Sequence, residues 1–163
     1  MNESSDLRRG RHVVFNLNAH LVFVTKYRRA VIDEAIFGVM RAAWEVVCRE
    51  FECELTEANY ERDHVRLLVA YPPKVSLARL VNSLKGVSSR RVRAAQFPAI
   101  TKALWGDHLW SPSYCAVSCG DAPLEIVKRY VESQRGGART VGVASPPRSS
   151  EESSRLDRTG KVK

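Results

Sequence analysis

Residues 12–29 read HVVFNLNAHLVFVTKYRR, and their alternation sets where the fold begins. Phe15, Leu17, Ala19, Leu21 and Phe23 fall on one face of an extended chain; Asn16, Asn18, His20 and Val22 fall on the other. Successive side chains of a strand point to opposite faces, so this segment reads as a first strand, two-sided enough to lie inside a sheet.

Beyond it, Asp33 is suited to cap a helix reaching to about Phe51, with Ile36, Val39, Met40, Ala43, Val47 and Phe51 close to helical spacing. Cys53 to Tyr60 alternates as a second strand. The polar turn Glu61-Arg62-Asp63 leads into a third, His64 to Ala70, which Pro72-Pro73 stops, so the two form a hairpin. Ser76 to about Gln96 reads as a second helix, with Leu77, Leu80, Val81, Leu84, Val87 and Val92 apolar. A Pro- and Trp-bearing loop follows, then a fourth strand, Ser113 to Cys119, and a final helix from about Ala122 to Gln134 with Leu124, Val127 and Val131 as its apolar line. The order βαββαβ plus a helix predicts an α+β, ferredoxin-like fold: an antiparallel sheet with two helices on one face. Many functions share that fold, so it does not name the activity.

At 163 residues and 44% hydrophobic, the chain suffices for one ordinary core. Residues 1–11 and those from 136 onward are polar and charged, which predicts disordered tails around a single domain at 12–135. Lys and Arg number 26 against 18 Asp and Glu, a net charge of +8, which favours a polyanionic partner, nucleic acid first. No run approaches the roughly 18 apolar residues of a membrane span, and the N-terminus lacks the apolar segment of a signal peptide. The expected location is the cytoplasm or nucleoid, with neither a membrane nor a small-molecule substrate as partner. Cys48, Cys53, Cys115 and Cys119 have no metal-binding spacing and read as reduced core thiols.

Three groups of residues carry potential chemistry. His64 and Arg66 lie at i and i+2 on the third strand and point the same way; two such ligands can grip one ion, but Arg66 has no lone pair to give. Taken alone, His64 reads as a structural histidine. On the last helix, Tyr130 and Gln134 are i and i+4 on one face. A phenol there could attack a phosphodiester beside the amide, or could simply complete the apolar stripe. Lys85, Ser88, Ser89, Arg90, Arg91 and Arg93 on the second helix, and Lys26, Arg28 and Arg29 at the end of the first strand segment, are clustered as for phosphate contacts.

The strings LVFVTKYRR (21–29), DHVRLLVAYPPK (63–74), LKGVSSRR (84–91), LWGDHLWSPSYCAVSCG (104–120) and EIVKRYVESQ (125–134) come in one order and at compatible spacing. Together they resemble the single-tyrosine HUH transposases of the insertion-sequence 200/605 group, over roughly residues 12–135. The resemblance implies Tyr130 as the nucleophile that leaves a 5′-phosphotyrosine link, His64 and Gln134 as metal ligands, and Mg²⁺ or Mn²⁺ as the ion. It also implies a homodimer that recognises hairpin-bearing single-stranded DNA, with active sites that can be shared between subunits. Arg66 departs from it, standing where the family keeps a second metal-binding histidine. Three consequences stand open: Arg66 itself supplies positive charge to the scissile phosphate, His20 or His108 completes the site, or the chain is a relic that binds DNA without cleaving it.

Overall fold

The computed structural model describes residues 7–104, 106, 108–118 and 124–134, and only the backbone of residues 124–127. A four-stranded antiparallel sheet is built from β3 (Asn18–Val24), β4 (Glu54–Glu61), β5 (His64–Ala70) and β6 (Cys115–Ser118), in the spatial order β4-β5-β3-β6. Helix α1 (Glu34–Glu50) links β3 to β4, and α2 (Leu77–Ala94) lies between β5 and β6. This is the ferredoxin-like α+β arrangement expected, with the first long strand central as its two-sided pattern required.

Both long helices begin at the residues suited to capping them. Asp33 Oδ1 accepts from the Ile36 amide at 2.9 Å, and Ser76 Oγ from the Arg79 amide at 3.4 Å. Ile36, Met40, Trp44 and Val47 of α1 meet Leu80, Val81 and Leu84 of α2 over the sheet face formed by Ala19, Leu21, Phe23, Val65, Leu67 and Val69. Each buried Val, Leu, Ile, Met or Phe among them contributes about 1.5–3 kcal/mol relative to exposure. The Trp44 indole donates to the Leu84 carbonyl at 3.2 Å, so the largest buried side chain also pins one helix to the other.

The opposite face is where the last helix, α4 (Leu124–Ser133), packs: Val131 is buried against Val22 and Val24, with Cys115 and Tyr130 partly buried beside them. Central strand β3 thus serves two apolar layers, Leu21 and Phe23 on one side, Val22 and Val24 on the other.

Three segments differ from the sequence expectation, the first being the opening strand read over residues 12–29, which runs only over Asn18–Val24 and gives way to a 3-10 turn at Lys26–Arg28. The loop after α2 carries a helix, α3 (Pro98–Leu104), because Pro98 is preorganised for a first helical turn and Ile100 and Leu104, four apart, both reach the core. In the segment expected to be an N-terminal tail, β1 (Arg8–Arg9) pairs antiparallel with β2 (Val14–Phe15). The guanidinium of Arg8 lies 5.3 Å from the Phe15 ring centroid and donates to the Glu52 carbonyl at 3.1 Å, which ties this ribbon down. Cys48, Cys53 and Cys115 are free thiols; burial pushes Cys48 up to about 12 and Cys53 to about 11. Residues 1–6 and 135–163, Cys119, and the side chains of Leu124 and Val127 lie outside the described residues.

Candidate functional site

Strand register places the site. In β5, His64 faces Val24 of β3 and Arg66 faces Val22, while Val22 faces Cys115 of β6 on its other side. Directly opposed residues share a face, so His64, Arg66, Val22, Val24 and Cys115 all lie on the side that α4 covers. Tyr130 packs against the cluster of Val22, Val24 and Val131, whose two strand residues are those opposed to Arg66 and His64. One strand spacing, about 4.8 Å, therefore separates the His64/Arg66 strand from the strand on which the tyrosine helix of the same chain rests.

His64 is held by its neighbour. Its Nδ1 lies 2.7 Å from Asp63 Oδ1, and the other carboxylate oxygen of Asp63 accepts from Arg28 Nε at 2.9 Å. Burial works to raise the Asp63 carboxyl, but the hydrogen bonds and charges of His64 and Arg28 overcome it and hold the group below its ordinary value. The imidazole is fixed through one nitrogen, leaving Nε2 as its other polar atom. Arg28 belongs to a tight turn in which Tyr27 (φ 59°) and Arg28 (φ 51°) adopt left-handed backbone. Non-glycine residues there cost roughly 1–3 kcal/mol each. The turn is offset by the buried Thr25 hydroxyl, which donates to the Arg29 carbonyl at 2.8 Å, and by the Arg28–Asp63 ion pair.

Tyr130 and Gln134 converge on a different set. Tyr130 Oη lies 3.0 Å from Ser113 Oγ, and Gln134 Oε1 accepts from Ser111 Oγ at 3.2 Å and from Ser113 Oγ at 3.3 Å. Beneath them, Lys85 Nζ donates to the Ser111 carbonyl at 2.6 Å and the Ser113 carbonyl at 3.1 Å. The loop carrying these serines is stitched to the end of β3: the Ser111 amide donates to Val24, the Lys26 amide to Leu109, and Trp110 bridges to Thr25. Burial raises the Tyr130 phenol above its ordinary value, Ser113 opposes this, and nearby Cys115 adds to it. Burial also lowers the Lys85 ammonium.

Next to that loop, Lys26, Lys85, Ser89 and Arg90 line a groove of about 470 Å³ with His108 and Trp110. The structure brings these four sequence-nominated residues together and separates the rest. Ser88, expected at a phosphate, is fully buried: it accepts from the Trp110 indole at 3.1 Å and its hydroxyl lies 2.7 Å from the Leu84 carbonyl. It is a packing residue, because the helical turn that leaves Ser89 partly exposed and Arg90 exposed turns Ser88 inward. Arg28 is committed to Asp63, and the Arg29 guanidinium donates to the Ala103 carbonyl. Arg91 is exposed outside the groove lining, and Arg93 lines a separate cavity of about 740 Å³ with Thr101 and Lys102, away from Tyr130.

The donor set does not suit a divalent ion. Arg66 brings a like charge to the position beside His64, and among the described residues no three His, Cys, Asp or Glu side chains cluster for a metal. His20 does not complete the set: it faces Leu68, four residues along β5 from His64, about 13 Å away. His108 belongs to the basic groove. Asp63, Ser111 and Ser113 were not nominated by sequence. Adjacency to His64 in the hairpin turn was a signal for Asp63; the serines gave none, since only tertiary packing brings residues 111–113 to α4.

Residues 13–134 match the family described as Transposase IS200 like. The chain is 30% identical over 129 residues to the ISDra2 transposase TnpA of Deinococcus radiodurans, covering 79% of this chain and 91% of that protein. It is 29% identical over 134 residues to the IS200 transposase of Salmonella typhimurium, covering 77% and 84%. Among solved structures, a candidate transposase from D. radiodurans superposes with a TM-score of 0.71 at 31% identity, covering 78% of this chain and 97% of that one. A REP-associated tyrosine transposase, solved bound to a REP hairpin, shares the fold at a TM-score of 0.50 and 12% identity, over 77% and 68%. With the match spanning the whole sheet and the tyrosine helix, the chain belongs to the IS200-like transposase family.

Proposed function

We propose that residues 12–135 form a transposase unit that binds hairpin-bearing single-stranded DNA, cleaves it through Tyr130 and rejoins it, acting as a pair of copies. The observation that carries this reading is the packing of the Tyr130 helix on the sheet face that bears His64 and Arg66. In the cleavage step Tyr130 Oη attacks the phosphorus, the bond to the 3′-oxygen breaks, and a 5′-phosphotyrosine forms. The phenol loses one proton and the departing 3′-oxygen gains one, so the step balances without redox chemistry. Attack by another 3′-hydroxyl reverses it and joins the strands.

A phenol held above its ordinary value needs the developing negative charge on the phosphate to be met by a fixed positive group. Arg66 is that group in this reading: it is permanently charged, its guanidinium fork matches two phosphate oxygens, and among the described residues it has no ion-pair partner. Asp63 keeps the His64 ring oriented beside it. The groove of Lys26, Lys85, Ser89 and Arg90 holds the strand leading to the phosphate.

The test is incubation of the protein, and of Tyr130→Phe, with labelled single-stranded DNA carrying the element's end hairpins, in Mg²⁺, Mn²⁺ or chelator, followed by a denaturing gel. A Tyr130-dependent covalent band that persists in chelator is expected. An equal band from Tyr130→Phe refutes the nucleophile, and a band that requires the ion returns His64 and Gln134 to the role of ligands. Hairpin binding with no covalent band under any condition would identify a DNA-binding relic, with Arg66 the lesion.

A further inference from the structure

We propose that Ser113 is a positioning residue for the nucleophile, and that Lys85 ties its loop to the basic groove so that strand binding and tyrosine orientation are built on one loop. This rests on the reading of Tyr130 as nucleophile. A tyrosine on a helix can turn about its side-chain torsions, and packing against the Val22, Val24 and Val131 cluster restrains the ring but not the hydroxyl. The hydroxyl is restrained by Ser113 Oγ at 3.0 Å.

Ser113 in turn does not stand alone. Its Oγ is 3.3 Å from both Gln134 Oε1 and Ser111 Oγ, so two hydroxyls and one amide fix each other one helical turn from the phenol. The backbone of both serines is gripped by one ammonium, Lys85 Nζ, which reaches them from α2. Lys85, Ser111 and Pro112 line the groove, whereas Tyr130 and Gln134 do not. The loop is therefore the shared wall between strand-binding groove and nucleophile, its carbonyls held by Lys85 of α2 and its hydroxyls by Tyr130 and Gln134.

Rates separate this from a merely structural role. Under single turnover, Ser113→Ala is expected to lower covalent-adduct formation at saturating DNA about tenfold, the worth of one hydrogen bond, with half-saturation changed by less than about twofold. Ser113→Thr keeps the hydroxyl and should return to within about threefold of the parent. Arg90→Ala, on the groove wall but off the loop, should show the reverse split, and Lys85→Met should show both defects. An unchanged saturated rate in Ser113→Ala, a defect confined to half-saturation, or failure of threonine to rescue would each overturn the proposal.

A second readout stands independently of cleavage. With ring-¹³C tyrosine, the Tyr130 Cζ resonance, assigned by its disappearance in Tyr130→Phe, should shift in Ser113→Ala and move back in Ser113→Thr. A resonance indifferent to Ser113 refutes the hydrogen bond even if the protein makes no adduct. An absent adduct in the parent with a Ser113-sensitive resonance would instead refute the parent reading and leave the positioning contact standing.

Discussion

Ser88→Ala should destabilise the protein while sparing DNA binding, and the size of the effect follows from one buried hydrogen bond. Ser88 has no exposed surface, and Trp110, whose indole N–H it accepts at 3.1 Å, is 5% exposed. Deleting the hydroxyl leaves that donor buried where water cannot replace the partner, at a cost of about 1–3 kcal/mol. Taking about 2 kcal/mol, the melting temperature of a domain this size falls by roughly 8 °C. The companion substitution Trp110→Phe removes the donor, so adding Ser88→Ala in that background should cost little. A double-mutant cycle by urea denaturation should then return a coupling of about 1–2 kcal/mol. Because Trp110 bridges to Thr25 and its loop continues into Ser111 and Ser113, the pair also supports the tyrosine's surroundings. Additive costs would refute the buried hydrogen bond. Weakened DNA binding at unchanged stability would return Ser88 to the surface role its neighbours suggest.

Other consequences are equally direct. Arg66→Ala should lower covalent-adduct formation about 10²–10³-fold with little effect on hairpin affinity, as expected for a donor aimed at developing charge and read by single-turnover rates. Arg90→Ala should weaken single-stranded DNA binding and flatten its log–log salt slope by about 0.7, whereas Arg93→Ala, whose side chain lines the other cavity, should change that slope by less. Asp63 is depressed in the folded chain, so its stabilisation is present above its ordinary value of 3.8 and is lost as pH falls through the lower folded value. Chemical denaturation of Asp63→Asn should accordingly show a weaker decline in stability between pH 5 and pH 3, about one unit either side of that value, than the parent shows; identical slopes would refute the assignment.

Much of the site was legible because its parts are local. His64 and Arg66 share a face by the period of a strand, Tyr130 and Gln134 by that of a helix, and Asp33 and Ser76 announce their helices by capping. Ser88 was misjudged, and Arg28 and Arg29 were placed with protein partners, for one physical reason: a run of cations and hydroxyls looks uniform in sequence, while a helix or tight turn sends its members in different directions. Arg28 went to a carboxylate, Arg29 to a carbonyl and Ser88 to an indole, leaving Lys26, Lys85, Ser89 and Arg90 at the groove.

By itself the sequence determined the order of the four sheet strands and of α1, α2 and α4, the two-sided character of β3, and the presence of a tyrosine and an imidazole each at a defined position on its own element. These follow from backbone period and capping, which act over a few residues. Only the tertiary structure decided that α4 lies on the His64 side of the sheet, that Asp63 holds the imidazole, and that residues 111–113 clasp Tyr130 and Gln134. Apart from the Asp63–His64 pair, those contacts join residues 17 or more positions apart, and the burial of Val22 and Val24 with Val131 holds the tyrosine helix on that face.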